Sequence, residues 1–292
     1  MSPVPEVISK STRRWLGSCA ASRPLESGGV VPVVYDGVIE ENPWGYGKRL
    51  RFITAEINKA FPLRHPSSIR VLDVGCGNGS LVAIPLARHG FDLTGLDLHQ
   101  PSIKHAQKLA SALPNAHFFE GTVTEVELPL FDVVILSEVV EHVADPEGLL
   151  LATLKHLKPD GIVVVTVPNG YGEFEIDSWV FRALRLQSAI DFLRCSLRRW
   201  PSQQTDQIET AATDNHDCGH VQFFTRSRLK RMFADCSTEL VRESAGSFVC
   251  GPIVCHTIGR WRRFIKWNVR IADRLPLAFV SSWYFVLRRA NR

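Results

Sequence analysis

The sequence lacks any Cys-x-x-Cys pair, any internal repeat and any low-complexity tract. Its seven cysteines are an odd number, and the closest two, Cys250 and Cys255, have no matching pair elsewhere that would complete a zinc site. A reduced, cytoplasmic chain is therefore expected. No apolar run approaches the ~20 residues needed to cross a bilayer, so no membrane span is expected. The stretch "MSPVPEVISKSTRRWLGSCAAS" carries an arginine pair with no apolar segment behind it, which argues against a signal peptide. Strong charge of one sign is also absent. The net charge of +4 tolerates an anionic partner, such as RNA or a lipid headgroup, without demanding one.

What is present is the composition of an ordinary globular chain, with 45% hydrophobic and 22% charged residues over 292 positions. Residues 1–44 have little periodicity and read as an N-terminal extension. "YGKRLRFITAEINKAF" then places Leu50, Ile53, Ile57 and Phe61 on one helical face. Short strands and helices alternate after it. "IRVLDVG", "FDLTGLD", "AHFFEG", "FDVVILS" and "GIVVVTV" read as strands, with "SLVAIPLARHG", "PSIKHAQKLASAL" and "EGLLLATLKHLKPD" as the helices between them. That order predicts an α/β domain over residues 45–292, a mostly parallel sheet with helices on both faces. Two insertions are expected, a helical one at 171–210 and a basic one at 256–277.

The first strand runs into "VLDVGCGNGS", with Asp73, Gly75, Gly77 and Gly79 where strand turns to helix. Glycines there let the backbone approach a ligand, with the helix N-terminus facing it. Asp97 ends the second strand, roughly 20–25 residues on, where an acid can hold ribose hydroxyls. The combination "VLDVGCGNG", "GLDL", "FDVVILSEVVEHV" and "LKPDGIVVVTVPN" resembles the class I S-adenosylmethionine-dependent methyltransferases, strongly over roughly residues 45–170. The resemblance implies a Rossmann-like seven-stranded sheet whose last strand is antiparallel and in a hairpin with its predecessor; "TELVRESAGSFV" and "SSWYFVLRR" would be those two strands. It also implies that Asp73 and the loop Gly75, Cys76, Gly77, Asn78 and Gly79 surround the methionine end of the cofactor, with Ser137 nearby. Asp97 would bind the ribose and Leu98 would lie against the adenine. Thr122 stands where the family often has an Asp for the adenine amino group.

"SEVVEHV" follows the fourth strand, and in a helix starting near Ser137 the residues Glu138, Glu141 and His142 would project together. An ordinary helix start, with acids suited to the dipole, is the alternative. Downstream, "DNHDCGHVQFFTRSRL" is similar to segments in two groups of the family. These are the ubiquinone-biosynthesis O-methyltransferases and the small-RNA 2′-O-methyltransferases. The likeness implies a divalent cation (Mg²⁺, Mn²⁺, Fe²⁺ or Zn²⁺) held by Glu138, Glu141, His142 and His220, with His216 a competitor. Catalysis would then rest on Glu141, His142 and His220, with a histidine as general base if no metal binds.

Residues 174–200 read as a long amphipathic helix, and "GRWRRFIKWNVRIADRL" repeats its mixture of arginine and aromatic residues. Such segments suit a peripheral membrane contact or a solvated helix face, and fit nucleic acid less well. The expected activity is O-methylation of a small or lipid-linked hydroxyl or phenol. An RNA 2′-O-methyltransferase and a cofactor-binding pseudoenzyme are the alternatives.

Overall fold

A seven-stranded sheet organises the computed structural model, which describes residues 34–35, 38–184 and 221–290. Its strands are β1 (Arg70–Val74), β2 (Asp92–Asp97), β3 (Ala116–Glu120), β4 (Phe131–Ser137), β5 (Leu157–Pro168), β6 (Thr238–Ala245) and β7 (Ser282–Arg289). The spatial order is β3-β2-β1-β4-β5-β7-β6. The first five strands are parallel, and β7 pairs antiparallel with both β5 and β6. All seven expected strands are found, and the last one has the expected direction. A two-residue pairing of Val34–Tyr35 with Val38–Ile39 precedes them.

Period-two alternation along the central strands sorts the core into two layers. On β4, Val133 and Ile135 face a layer with Ile53 and Ile57 of α1 (Tyr46–Ala60), Leu86 of α2 (Ala83–Arg88) and Ile103 of α3 (Gln100–Leu109). Val134 and Leu136 face the other way, toward Leu150 of α4 (Pro146–Lys155) and Phe233 of α6 (Arg226–Asp235). Between α4 and α6 the chain forms α5 (Glu173–Ala183). The long helix expected over 174–200 is therefore seen only through this part, and the remainder lies outside the described residues.

At the sheet edge away from the strand C-termini, Asp132 accepts hydrogen bonds from Arg64 at 2.5 Å and Lys158 at 2.9 Å, and from the Arg70 amide at 2.8 Å. These contacts outweigh its burial and hold its carboxyl below the usual range. Between β6 and β7 the chain leaves the sheet to form α7 (Pro252–His256) and α8 (Arg262–Ala272). The expected basic insertion is thus helical. Its inner side meets the start of α1, where Asn268 donates to the Pro43 carbonyl at 3.3 Å.

Candidate active site

Strand order reverses at β1, whose neighbours β2 and β4 lead on to opposite sides of the sheet. The loops leaving β1 and β4 therefore diverge and open a crevice at their carboxyl ends. A cavity of about 300 Å³ occupies this place. Its walls hold Asp73 and the loop from Gly75 to Asn78 on one side and Ser137, Glu138, Glu141 and His142 on the other, with Trp44, Tyr46 and Arg49 from the α1 region above.

The glycine loop meets its backbone requirements at two positions for different reasons. Gly75 has φ +72°, and a Cβ there would stand 2.5 Å from Val139 Cγ2. Gly77 has φ +55° and nothing within 4 Å of the same construction, so the loop leaves open space beside it. Asn78 ties the loop to its own continuation, accepting from the Ser80 amide at 3.1 Å and the Ser80 hydroxyl at 2.7 Å. The Cys76 side chain turns toward Gly95 of β2. Burial pushes its thiol well up, so it stays protonated and is no nucleophile.

Asp97 joins the two cofactor-side strands. One of its carboxylate oxygens accepts from the Gly77 amide and the other from the His99 amide, each at 2.8 Å. Leu98 follows it, 69% exposed and therefore available to a planar apolar ligand. Thr122 donates to Glu125 at 2.8 Å, outside the cavity wall. Asp73, buried at the end of β1, has its carboxyl pushed up to about 8 by burial and by the charge of Asp97.

On the opposite wall the expected helical register is corrected. Glu138 has φ +55°, a left-handed conformation uncommon outside glycine, and only Val140–His142 form a single 3-10 turn. The α-helix begins eight positions after Glu138, at Pro146, capped by Asp145 accepting from the Gly148 amide at 2.8 Å. Glu138 therefore does not project alongside Glu141 and His142 as helical neighbours. It points to α1, where Arg49 Nη2 lies 3.2 Å from its Oε1, and Thr166 donates to the same oxygen at 2.9 Å.

Arg49 was not among the sequence candidates, since its helix is recognised by the apolar face of Leu50, Ile53 and Ile57. It is only 6% exposed and stacks over the Tyr46 ring at 5.4 Å. Burial opposes its charge, but Glu138 and the hydroxyls of Tyr284 and Tyr46 more than offset this. Its Nε has no hydrogen-bond partner among the described residues.

Glu141 is 1% exposed, with Oε1 3.7 Å from His142 Nε2 and Oε2 buried without a partner among the described residues. Burial and the neighbouring Glu138 raise its carboxyl well above the usual range. Its carbonyl accepts from the Val221 and Gln222 amides at 2.9 and 3.0 Å, which fixes the chain that follows residue 220 against this turn. His220 and His216 themselves lie outside the described residues. Among the described residues, no three His, Cys, Asp or Glu side chains come together as a metal-holding group. The proposed ligand Glu138 is already neutralised by Arg49.

A family model described as "Methyltransferase domain" matches residues 46–242. Among curated proteins, the ubiquinone biosynthesis O-methyltransferase of Rickettsia akari is 38% identical over 123 residues, 41% of this chain and 48% of that protein. Its counterpart from Rickettsia prowazekii is 35% identical over 126 residues, again 41% and 48%. The chain spans about half the length of these curated relatives. Among solved structures, the fold is shared with magnesium protoporphyrin IX methyltransferase from Synechocystis PCC 6803 with bound SAH. That match has TM-score 0.50 and 14% identity, covering 84% of each chain. PKMT2 from Rickettsia typhi, in complex with AdoHcy, matches with TM-score 0.51 and 17% identity over 86% of this chain and 54% of that one. With the glycine loop, both strand-end acids and the antiparallel seventh strand in place, the chain belongs to the class I S-adenosylmethionine-dependent methyltransferases.

Proposed function

We propose that this protein transfers the methyl group of S-adenosylmethionine to an oxygen of a small or lipid-linked hydroxyl or phenol. The observation that carries the reading is the convergence of ionisable groups on one cavity: Asp73 on the β1 side, Arg49 above, and Glu141 with His142 beside it. When bound, S-adenosylmethionine supplies an electrophilic methyl group on a sulfonium. Its amino acid end carries an ammonium and a carboxylate, which Asp73 and Arg49 complement. The open space at Gly77 admits the ligand's backbone-facing side, Asp97 keeps lone pairs for ribose hydroxyls, and exposed Leu98 offers a face for the adenine.

The remaining residues act on the acceptor. Trp44 and Tyr46 line the cavity, and Trp44 packs on Phe174 of α5 at 5.4 Å, giving an aromatic wall suited to a phenol ring or an apolar tail. His142 stands at the cavity and accepts the hydroxyl proton as the acceptor oxygen forms its bond to carbon. Glu141 Oε1, 3.7 Å from the imidazole Nε2, orients the ring and faces the imidazolium that forms; the only proton moved is the acceptor's, from its hydroxyl to His142. The described residues do not by themselves fit a divalent cation, because Glu138 is held by Arg49 and Thr166.

The test offers methyl-labelled S-adenosylmethionine to catechols, a lipid extract and small RNA, with and without EDTA. Label entering catechol or lipid in both conditions supports the proposal. Label in RNA alone replaces the acceptor class. Tight cofactor binding with no transfer to any fraction leaves a cofactor-binding protein without the activity.

A further inference from the structure

The outward face of α8 makes no contribution to the cavity. Arg263, Lys266 and Arg270 on the helix, and Arg274 in the turn just past its end, recur three to four residues apart and form one stripe. All four are exposed, and among the described residues none pairs with a carboxylate. Two acids that pair with other cations are Asp273, with Lys48 at 2.6 Å, and Glu40, with Arg262 at 3.0 Å. Like charges one turn apart disfavour a helix, so this stripe costs stability unless an anion lies against it.

The stripe is flanked by indoles. Trp261 is 66% exposed and Trp267 49% exposed. Trp267 is held in place against Phe248 and Phe264, with ring centroids 6.1 and 5.7 Å away. Between these side chains runs a shallow groove of about 430 Å³ whose lining comes wholly from Arg263 to Arg274. Among the described residues, this helix and the turn after it build the groove, with no second wall. A nucleic acid strand needs a groove that tracks its backbone. A flat anionic surface needs only a face with cations and indoles at one level.

We propose that α8 docks this protein on anionic lipid headgroups, its four cations on the phosphates and its two exposed indoles at headgroup depth. This surface is independent of the methyl-transfer reading, yet its helix is tied to the cavity. Asn268, fully buried on the inner side, bonds both the amide and the carbonyl of Val249, at 2.9 and 2.8 Å. Lys48 donates to the Val269 carbonyl at 3.1 Å and is followed by Arg49 of the cavity wall. Docking would thus bear on the segment that roofs the site.

The experiment sediments the full chain with vesicles of phosphatidylcholine alone, or mixed with phosphatidylglycerol, at low and high salt. Binding is expected only to the anionic vesicles, weaker in high salt, with a blue shift of tryptophan emission. Replacing all four stripe residues (Arg263→Ala, Lys266→Ala, Arg270→Ala, Arg274→Ala) should reduce binding by on the order of a hundredfold or more. Affinity for S-adenosylhomocysteine should stay unchanged, which also reports that the variant is folded. A control with Arg228→Ala and Arg231→Ala on α6 should bind vesicles as the parent does. Equal binding to neutral vesicles, an undiminished stripe variant, or an equal loss in the control would each overturn the proposal. So would stripe-dependent retention of single-stranded RNA by a protein that ignores vesicles.

Discussion

The guanidinium of Arg49 and the carboxylate of Glu138 meet at 3.2 Å across the roof of the cavity. They join the first helix of the domain to the end of its fourth strand. Glu138 reaches this position through a left-handed backbone conformation, of the kind that costs about 1–3 kcal/mol and persists where surrounding contacts enforce it. Its amide donates to the Thr166 carbonyl at 2.9 Å and its carboxylate accepts from the Thr166 hydroxyl, so β5 supplies that enforcement.

Removing the cation leaves Glu138 beside Glu141 with nothing to separate them. Arg49→Met is expected to lower stability in urea by about 3 kcal/mol, the low end for a buried pair because Glu138 is partly exposed, and to weaken S-adenosylhomocysteine binding more than tenfold. Adding Glu138→Gln should restore much of the stability and little of the binding. If the two stability losses simply add, the pair is not coupled and the account fails.

Asp73 gives a pH signature. Its carboxyl is raised from 3.8 to about 8, so between these values the folded chain holds a proton that the unfolded chain has lost. Its contribution to stability therefore declines as pH rises through that window. An ammonium bound beside it would favour the ionised form, so cofactor binding near neutral pH should release most of one proton. Titration calorimetry in buffers of different ionisation enthalpy measures this directly, and Asp73→Asn should release none. A parent protein that binds with no proton release would show that the amino end lies elsewhere.

The two loop glycines separate folding from binding. Gly75→Ala places a methyl 2.5 Å from Val139 Cγ2 in a left-handed conformation, and should lower stability by about 2–4 kcal/mol from strain and overpacking combined. Gly77→Ala meets no protein atom within 4 Å, so it should cost only about 1–2 kcal/mol, yet abolish measurable cofactor binding. Normal cofactor affinity in Gly77→Ala would remove the ligand from that side of the loop.

For the chemistry, His142→Ala should reduce kcat by on the order of 10²–10⁴ with S-adenosylhomocysteine affinity close to that of the parent. Glu141→Gln should also slow turnover. It should flatten the fall in stability above the ordinary carboxylate range, because it removes a buried acid whose ionisation opposes folding. Activity should survive EDTA. Loss on chelation, restored by an added divalent cation, would instead bring His220 and the metal reading back to the centre.

Much of this arrangement was legible in the sequence. The β4 run "VVIL", Val133 to Leu136, is apolar throughout because both faces are covered, and the glycine loop and Asp97 are set by what strand ends must do. Two things were not. The helix expected from Ser137 starts at Pro146, and the Asp145-Pro146 pair was the local signal for it. Arg49 was hidden because a helical pattern identifies its apolar stripe, whereas a buried arginine beside that stripe looks like any solvated one. Glu138 after β4 and Tyr284 on β7 reach it from distant parts of the chain, and periodicity within one helix carries no such information.

The placement of β7 between β5 and β6 has a consequence for the order of assembly. A nascent chain made only as far as β6 has β5 as an open sheet edge, because its neighbour on that side has yet to be synthesised. Tyr284, which lies beside Arg49 and reaches toward the Gly45 carbonyl, belongs to that late strand. The glycine-loop half of the cavity can therefore close on early contacts while the arginine half waits for the sheet's last strand. Cofactor competence is in this sense a late event of synthesis, reached only when the final strand is inserted into the middle of an existing edge.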